Sequence, residues 1–213
     1  MRQLLVLFFV ILVYIVNKGI PQNFVIKKRY RRVTNSFTQG LFFLDNDTLI
    51  ESSGLYSRSY IHKLTKNDFS ERIKVPNLAT DFAEGACLFN NTIIEITWHE
   101  RNIYIYDTNL NLIKKETLPH EIREVWGLTS DGSNLIVSEG SSTIYFIDPK
   151  TFQIIKKIEV KTRDGKTIYY LNELEYARGL IFANVYLTPY IVAFDKEGRV
   201  IKLYNMEELV KLE

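Results

Sequence analysis

The chain has 213 residues, room for one well-buried domain, and its 27 Lys and Arg against 25 Asp and Glu leave a formal charge of +2, too balanced for a nucleic-acid surface or an acidic tail. The 13 Tyr, 13 Phe and 2 Trp lean the composition towards β-strands and towards pockets for uncharged ligands. A lone cysteine, Cys87, excludes an internal disulfide and a cysteine-based zinc site, while His62, His99 and His120 show no HExxH or clustered carboxylate spacing that would signal a transition metal.

Residues 4–16, LLVLFFVILVYIV, are an uninterrupted apolar run behind Arg2. That length fits a signal-peptide core better than a membrane span of about 20 residues. We therefore expect residues 1–20 to be a signal peptide or a signal anchor, leading into the secretory or export pathway, and residues 21–213 to be one folded domain. No A-x-A-like cleavage site follows in NKGIPQNF, so anchoring to a membrane through residues 4–16 stays open. The basic cluster in VIKKRYRRV argues for a cytoplasmic position under the positive-inside rule, but the same residues also read as a first strand with solvated charges.

From Phe37 onward four blocks repeat. They begin at Gly40 (GLFFLDNDTLIESSG), Gly85 (GACLFNNTIIEITWHERNIYIYD), Gly127 (GLTSDGSNLIVSEGSSTIYFID) and Leu174 (LEYARGLIFANVYLTPYIVAFD), with spacings of 45, 42 and 47 residues. A period of about 40–50 residues holding some four short strands is that of propeller blades, because one such sheet cannot bury both its faces alone. Asp45-Asn46-Asp47, Asn90-Asn91, Asp131-Gly132 and Arg178-Gly179 separate first from second strands, as residues that tolerate the left-handed backbone of tight hairpins. TIYFID and YIVAFD read as third strands, and KKIEV and VIKLY as fourth strands. Asn46 and Asn90 also match the N-glycosylation pattern, although asparagine serves such turns on its own account. Cys87, in the run ACLF, reads as a small core residue.

FTQG at 37–40, FAEG at 82–85, VWGL at 125–128 and LNELEY at 171–176 recur at equivalent places. The first strand of each propeller blade lines the central channel, so Gln39, Glu84, Trp126 and Asn172 should converge there. Read from periodicity alone, they are equally blade-junction residues.

Taken in order, FTQGL, ESSGLYSRS, FAEG, ITW, WGL, SEGSSTIYFIDPKTFQIIKKIEV, LNELEY and ANVY resemble the plant-type glutaminyl cyclases over most of residues 37–205. The resemblance implies an all-β, five-bladed β-propeller that cyclises the N-terminal glutamine of peptides or proteins to pyroglutamate with loss of ammonia, and without a metal in the chemical step. It implies no cofactor, and leaves open a structural calcium ion in the channel. Carried over by motif, the catalytic residues fall on Glu84 and Asn172, and the substrate-binding residues on Phe37, Gln39, Phe82, Trp98 and Trp126. Tyr186 stands where family members carry another pocket tryptophan. Glu84 would move the proton from the attacking amine to the leaving nitrogen, and Asn172, with Gln39, would donate to the developing oxyanion. The family pattern continues past VIKLYNMEEL with a Gly-Ile-Ala-Trp-type strand and a channel lysine that are not met before Glu213, so we expect the last blade to be incomplete. Two other readings stand beside the enzyme: a non-catalytic propeller that binds peptides or proteins, and an unrelated propeller such as a lactonase-like hydrolase, for which no carboxylate and asparagine metal ring can be assembled.

Overall fold

The structure is a computed structural model that describes Lys28, Tyr30 and residues 35–211. The expected signal segment, residues 1–20, and the start of the domain lie outside the described residues, as does most of VIKKRYRRV; Lys28 and Tyr30 belong to no strand. Among the described residues no helix is long and apolar enough to cross a membrane.

Four antiparallel four-stranded sheets follow one another along the chain. The first holds β1 (Thr38–Phe43), β2 (Thr48–Ser53), β3 (Tyr60–Thr65) and β4 (Glu71–Pro76). The second holds β5 (Ala83–Phe89), β6 (Thr92–Thr97), β7 (Asn102–Tyr106) and β8 (Leu112–Thr117). β9 (Leu128–Ser130), β10 (Leu135–Ser138), β11 (Thr143–Ile147) and β12 (Ile154–Glu159) form the third. β13 (Leu171–Ala177), β14 (Leu180–Val185), β15 (Tyr190–Phe194) and β16 (Val200–Asn205) form the fourth, before a short helix α1 (Glu207–Val210). Strands pair in simple sequential order in every sheet, as hairpin-connected blades do.

The predicted turns sit where the strands reverse. Asn90 and Asn91 carry φ of 45° and 60°, and Arg178 and Gly179 carry 52° and 81°, the paired left-handed conformation of a two-residue hairpin whose twist matches its strands. Asn46 and Asn90 are both exposed.

Alternation within each strand sends neighbouring side chains to opposite faces, and each face finds a different blade. Ile93 packs with Ile50, Ile61 and Phe42 between the first and second blades. Its neighbour Ile94 packs with Leu135, Val137 and Tyr145 between the second and third, where Cys87 also lies buried. Ile136, Ile144 and Phe146 then meet Ile181, Val192 and Phe194 between the third and fourth. The outermost strands β4, β8 and β12 are largely exposed and lysine-bearing, which keeps those edges from pairing with other chains.

This is an all-β propeller fold with four complete blades among the described residues. The sheet formed by residues 171–205 has all four of its strands, and no strand of a further, incomplete blade is seen among the described residues. Five blades came from the family resemblance; the sequence itself repeats four times, and those four repeats are the four sheets.

Candidate active site

The innermost strands β1, β5, β9 and β13 pack successively against one another around the axis. Glycine makes this approach close enough. A Cβ on Gly40 would stand 2.5 Å from Ala86 N, one on Gly85 2.4 Å from Leu128 N, and one on Gly127 2.2 Å from the Asn172 carbonyl oxygen. Backbones from adjacent blades thus touch at each junction, and only a residue without a side chain fits. The fourth blade departs from this rule, since Glu173 occupies the place that Gly40, Gly85 and Gly127 hold in the others.

The residue just before each of these positions is where the ladder breaks. Register shifts fall between Thr38 and Gly40, between Ala83 and Ala86, and between Leu171 and Leu174. Such β-bulges re-aim side chains, and those affected include Gln39, Glu84 and Asn172. In the third blade, Trp126 lies just ahead of β9, held by its N–H donating to the Ser138 carbonyl at 3.1 Å and by its carbonyl accepting from Gly85 N–H at 2.9 Å.

Glu84 is 6% exposed, and its Oε2 accepts a hydrogen bond from Gln39 Nε2 at 2.5 Å across the first two blades. Burial pushes its carboxyl well above the usual range; the charges of Glu100 and Glu124 add to the rise, and the Gln39 amide opposes it. Glu173 is likewise raised by burial and by the charge of Glu84, and its Oε2 is buried without a hydrogen-bond partner. Gly85 keeps the two acids close, since a Cβ there would lie 2.9 Å from Glu173 Oε2. The Asn172 carbonyl accepts from Ser138 Oγ at 2.7 Å, and the Glu173 N–H donates to Asn184 Oδ1 at 2.9 Å, so the backbone of this bulge is fixed from both sides.

Aromatic rings wall the same end of the axis. Phe37 and Phe82 meet edge to face at 6.1 Å, Phe82 and Trp98 at 5.6 Å, and Trp126 and Tyr186 at 5.4 Å. Two rings rest on glycines: a Cβ on Gly54 would fall 2.4 Å from the Phe82 ring, and one on Gly140 2.6 Å from that of Trp126. A cavity of about 300 Å³ is lined by Phe37 and Gly54 together with Arg58, Tyr60 and Lys74.

The family model described as glutamine cyclotransferase matches residues 18–213. The chain belongs to the glutamine cyclotransferase family. A glutaminyl-peptide cyclotransferase of Arabidopsis thaliana is 35% identical to it over 168 residues, which are 78% of this chain and 52% of that protein. The chain therefore spans about half the length of the curated relative it matches. The crystal structure of Myxococcus xanthus glutaminyl cyclase is similar with a TM-score of 0.77 at 25% identity, over 86% of this chain and 76% of that one.

Within this family member, the eight residues singled out from sequence fall into neighbouring groups. Gln39 and Glu84 bond directly, Phe37, Phe82 and Trp98 form one aromatic row, and Trp126 meets Tyr186 edge to face. Asn172 joins through its backbone beside Gly127, and its side-chain amide makes no hydrogen bond to another described residue.

Sequence reasoning missed four residues. Tyr56 meets Phe82 at 5.4 Å and Trp98 at 6.5 Å, and its hydroxyl donates to Glu100 Oε1 at 3.0 Å. Its pKa is pushed up to about 12, by burial first and then by Glu100. Glu124 Oε2 accepts from both indoles, Trp98 Nε1 at 3.1 Å and Trp126 Nε1 at 3.2 Å. Glu173 is the fourth. Tyr56 stood within ESSGLYSRS and Glu100 beside ITW, but only the fold brings their partners to them. Among the described residues no group of three or more His, Cys, Asp or Glu is placed to hold a metal ion.

Proposed function

We propose that this chain cyclises the N-terminal glutamine of peptides or proteins to pyroglutamate with release of ammonia, Glu84 serving as the general acid and base. The observation that carries this reading is the hydrogen bond of Gln39 to the buried Glu84 beside an aromatic row, in a chain of the glutamine cyclotransferase family. The α-amine nitrogen bonds to the side-chain amide carbon of the same glutamine, and a carboxylate takes the proton that this nitrogen must lose. The same group returns the proton to the amide nitrogen as the carbon–nitrogen bond breaks and ammonia leaves. A carboxyl raised by burial suits both transfers near neutral pH, a role typically worth about 10²- to 10⁴-fold in rate.

Asn172 is the donor to the oxygen that becomes negative between the two steps, since its amide is not engaged elsewhere. Phe37, Phe82, Trp98, Trp126 and Tyr186 hold the flexible glutamine side chain folded on itself, the state from which a five-membered ring closes. From the family resemblance we propose further that a fifth blade belongs beside the four described. The apolar run at residues 4–16 makes exported peptides the substrates, with membrane anchoring as the alternative to cleavage.

The test is ammonia release from a glutamine-initiated dipeptide by the purified chain, with a chelator present, beside Glu84→Gln. Turnover that survives the chelator and vanishes in the variant supports the reading. Folded protein with no turnover would replace it with a binding module.

A further inference from the structure

One carboxylate oxygen tethers the only two tryptophans of the chain. Trp98 follows β6 in the second blade, and Trp126 precedes β9 in the third, so nothing in their own strands relates one ring to the other. An indole has a single N–H donor and no acceptor, so the position of that acceptor fixes the ring's direction. Glu124 Oε2 supplies it to both. The oxygen is itself well placed: Ile122 and Val125 on either side are fully buried in the core between the second and third blades, and Val125 N–H donates to the Trp98 carbonyl at 3.2 Å. Glu100 repeats the device one step away, one oxygen accepting from the Tyr56 hydroxyl and the other from Phe82 N–H at 3.3 Å.

We propose that Glu124 is a positioning residue for the substrate pocket, holding Trp98 and Trp126 as facing walls through one shared carboxylate oxygen, with Glu100 setting Tyr56 and Phe82 in the same manner. The proposal rests on the cyclisation reading for what the walls enclose, but not for the tether itself. Both acids stand outside the bulged inner strands and belong to none of the groups assigned to proton transfer.

Because Trp98 and Trp126 are the only tryptophans, a ¹⁵N-labelled chain gives two indole N–H signals, and each reports one end of the tether. In Glu124→Ala both signals should move upfield together, as both lose a charged acceptor. KM for a glutamine-initiated dipeptide should rise about tenfold, the loss expected for a charge-assisted hydrogen bond, while kcat changes less than about threefold. Glu124→Gln keeps one acceptor oxygen and should fall between the two on both measures. Movement of one signal alone or of neither, or movement of both with KM unaltered, overturns the proposal. If the unmodified chain releases no ammonia, the cyclisation reading fails by itself; the paired indole shift still decides the tether, and dipeptide affinity from tryptophan fluorescence replaces KM, with loss of the tenfold difference counting against it.

Discussion

Gln39 donates to Glu84 across two blades, and the contact ties a neutral amide to the acid on which the proposed chemistry depends. The amide stabilises the charged carboxylate and so holds down a pKa that burial raises. Glu84 accepts a proton only when ionised, so kcat/KM should climb with pH through its raised value. Gln39→Ala removes the opposing influence, and the acid limb of the pH–rate profile should move to higher pH. Glu84→Gln should lower kcat by about 10²- to 10⁴-fold and abolish that limb. An acid limb left in place by Gln39→Ala would show that the contact does not tune the acid.

The blade junctions give a stability prediction. Gly127→Ala drives a Cβ to 2.2 Å from the Asn172 carbonyl, a backbone atom that cannot step aside. Overpacking of this kind costs about 3 kcal/mol or more, which for a chain of this size lowers Tm by about 6–12 °C. Gly132→Ala is the control: φ is +84° there, but nothing lies within 4 Å, so only the left-handed strain of about 1 kcal/mol applies. Thermal melts of the two variants should therefore separate clearly. Equal melting temperatures would mean that the junction yields more easily than its geometry allows.

How far the sequence could be read follows from which contacts are local. Hairpin turns such as Asn90-Asn91 and alternating strands such as TIYFI are decided by neighbours in sequence, and they lie where they were predicted. Gln39, Glu84 and Asn172 were legible because a repeat copies a strand position, and the bulges that aim them recur with it. Glu124 was not legible: EIREVW has no strand pattern, and its meaning lies in two indoles from separate blades. Glu173 was hidden by a shift of one position, since the fourth block was read from Leu174 while the glycine place belongs to the residue before it. The four repeats read from the sequence are the four sheets among the described residues.

Glu95 carries a pH-dependent cost. It is fully buried and accepts from Ser52 Oγ at 2.9 Å and Asn77 Nδ2 at 2.7 Å, and burial pushes its carboxyl up to about 7. A raised carboxyl keeps its proton in the folded chain while the unfolded chain has lost it, so stability is full below the ordinary value near 4.5 and declines as pH rises to about 7. That interval corresponds to roughly 3 kcal/mol. In Glu95→Gln one amide end can serve Asn77 and the other Ser52, and the decline disappears. The Tm difference between the two proteins should shift in favour of the variant by about 5–10 °C from pH 4.5 to pH 7.5. A difference that does not change with pH would place the ionisation elsewhere.

Tyr186 tests whether the pocket wall depends on ring shape or on the hydroxyl. It is 43% exposed and meets Trp126 edge to face at 5.4 Å, and Gly140 supports the same indole. An edge-to-face pair contributes about 0.5–1.5 kcal/mol beyond burial, so Tyr186→Ala should raise KM by about two- to tenfold and leave kcat nearly unchanged. Tyr186→Phe keeps the ring and should behave as the parent. Tyr186→Trp, which installs the residue that the family resemblance implies there, should match or lower the parent KM, because the larger face covers more of the glutamine side chain. A rise in KM for Tyr186→Phe equal to that for Tyr186→Ala would transfer the role from the ring to the hydroxyl, and the wall would then be a hydrogen-bonding one.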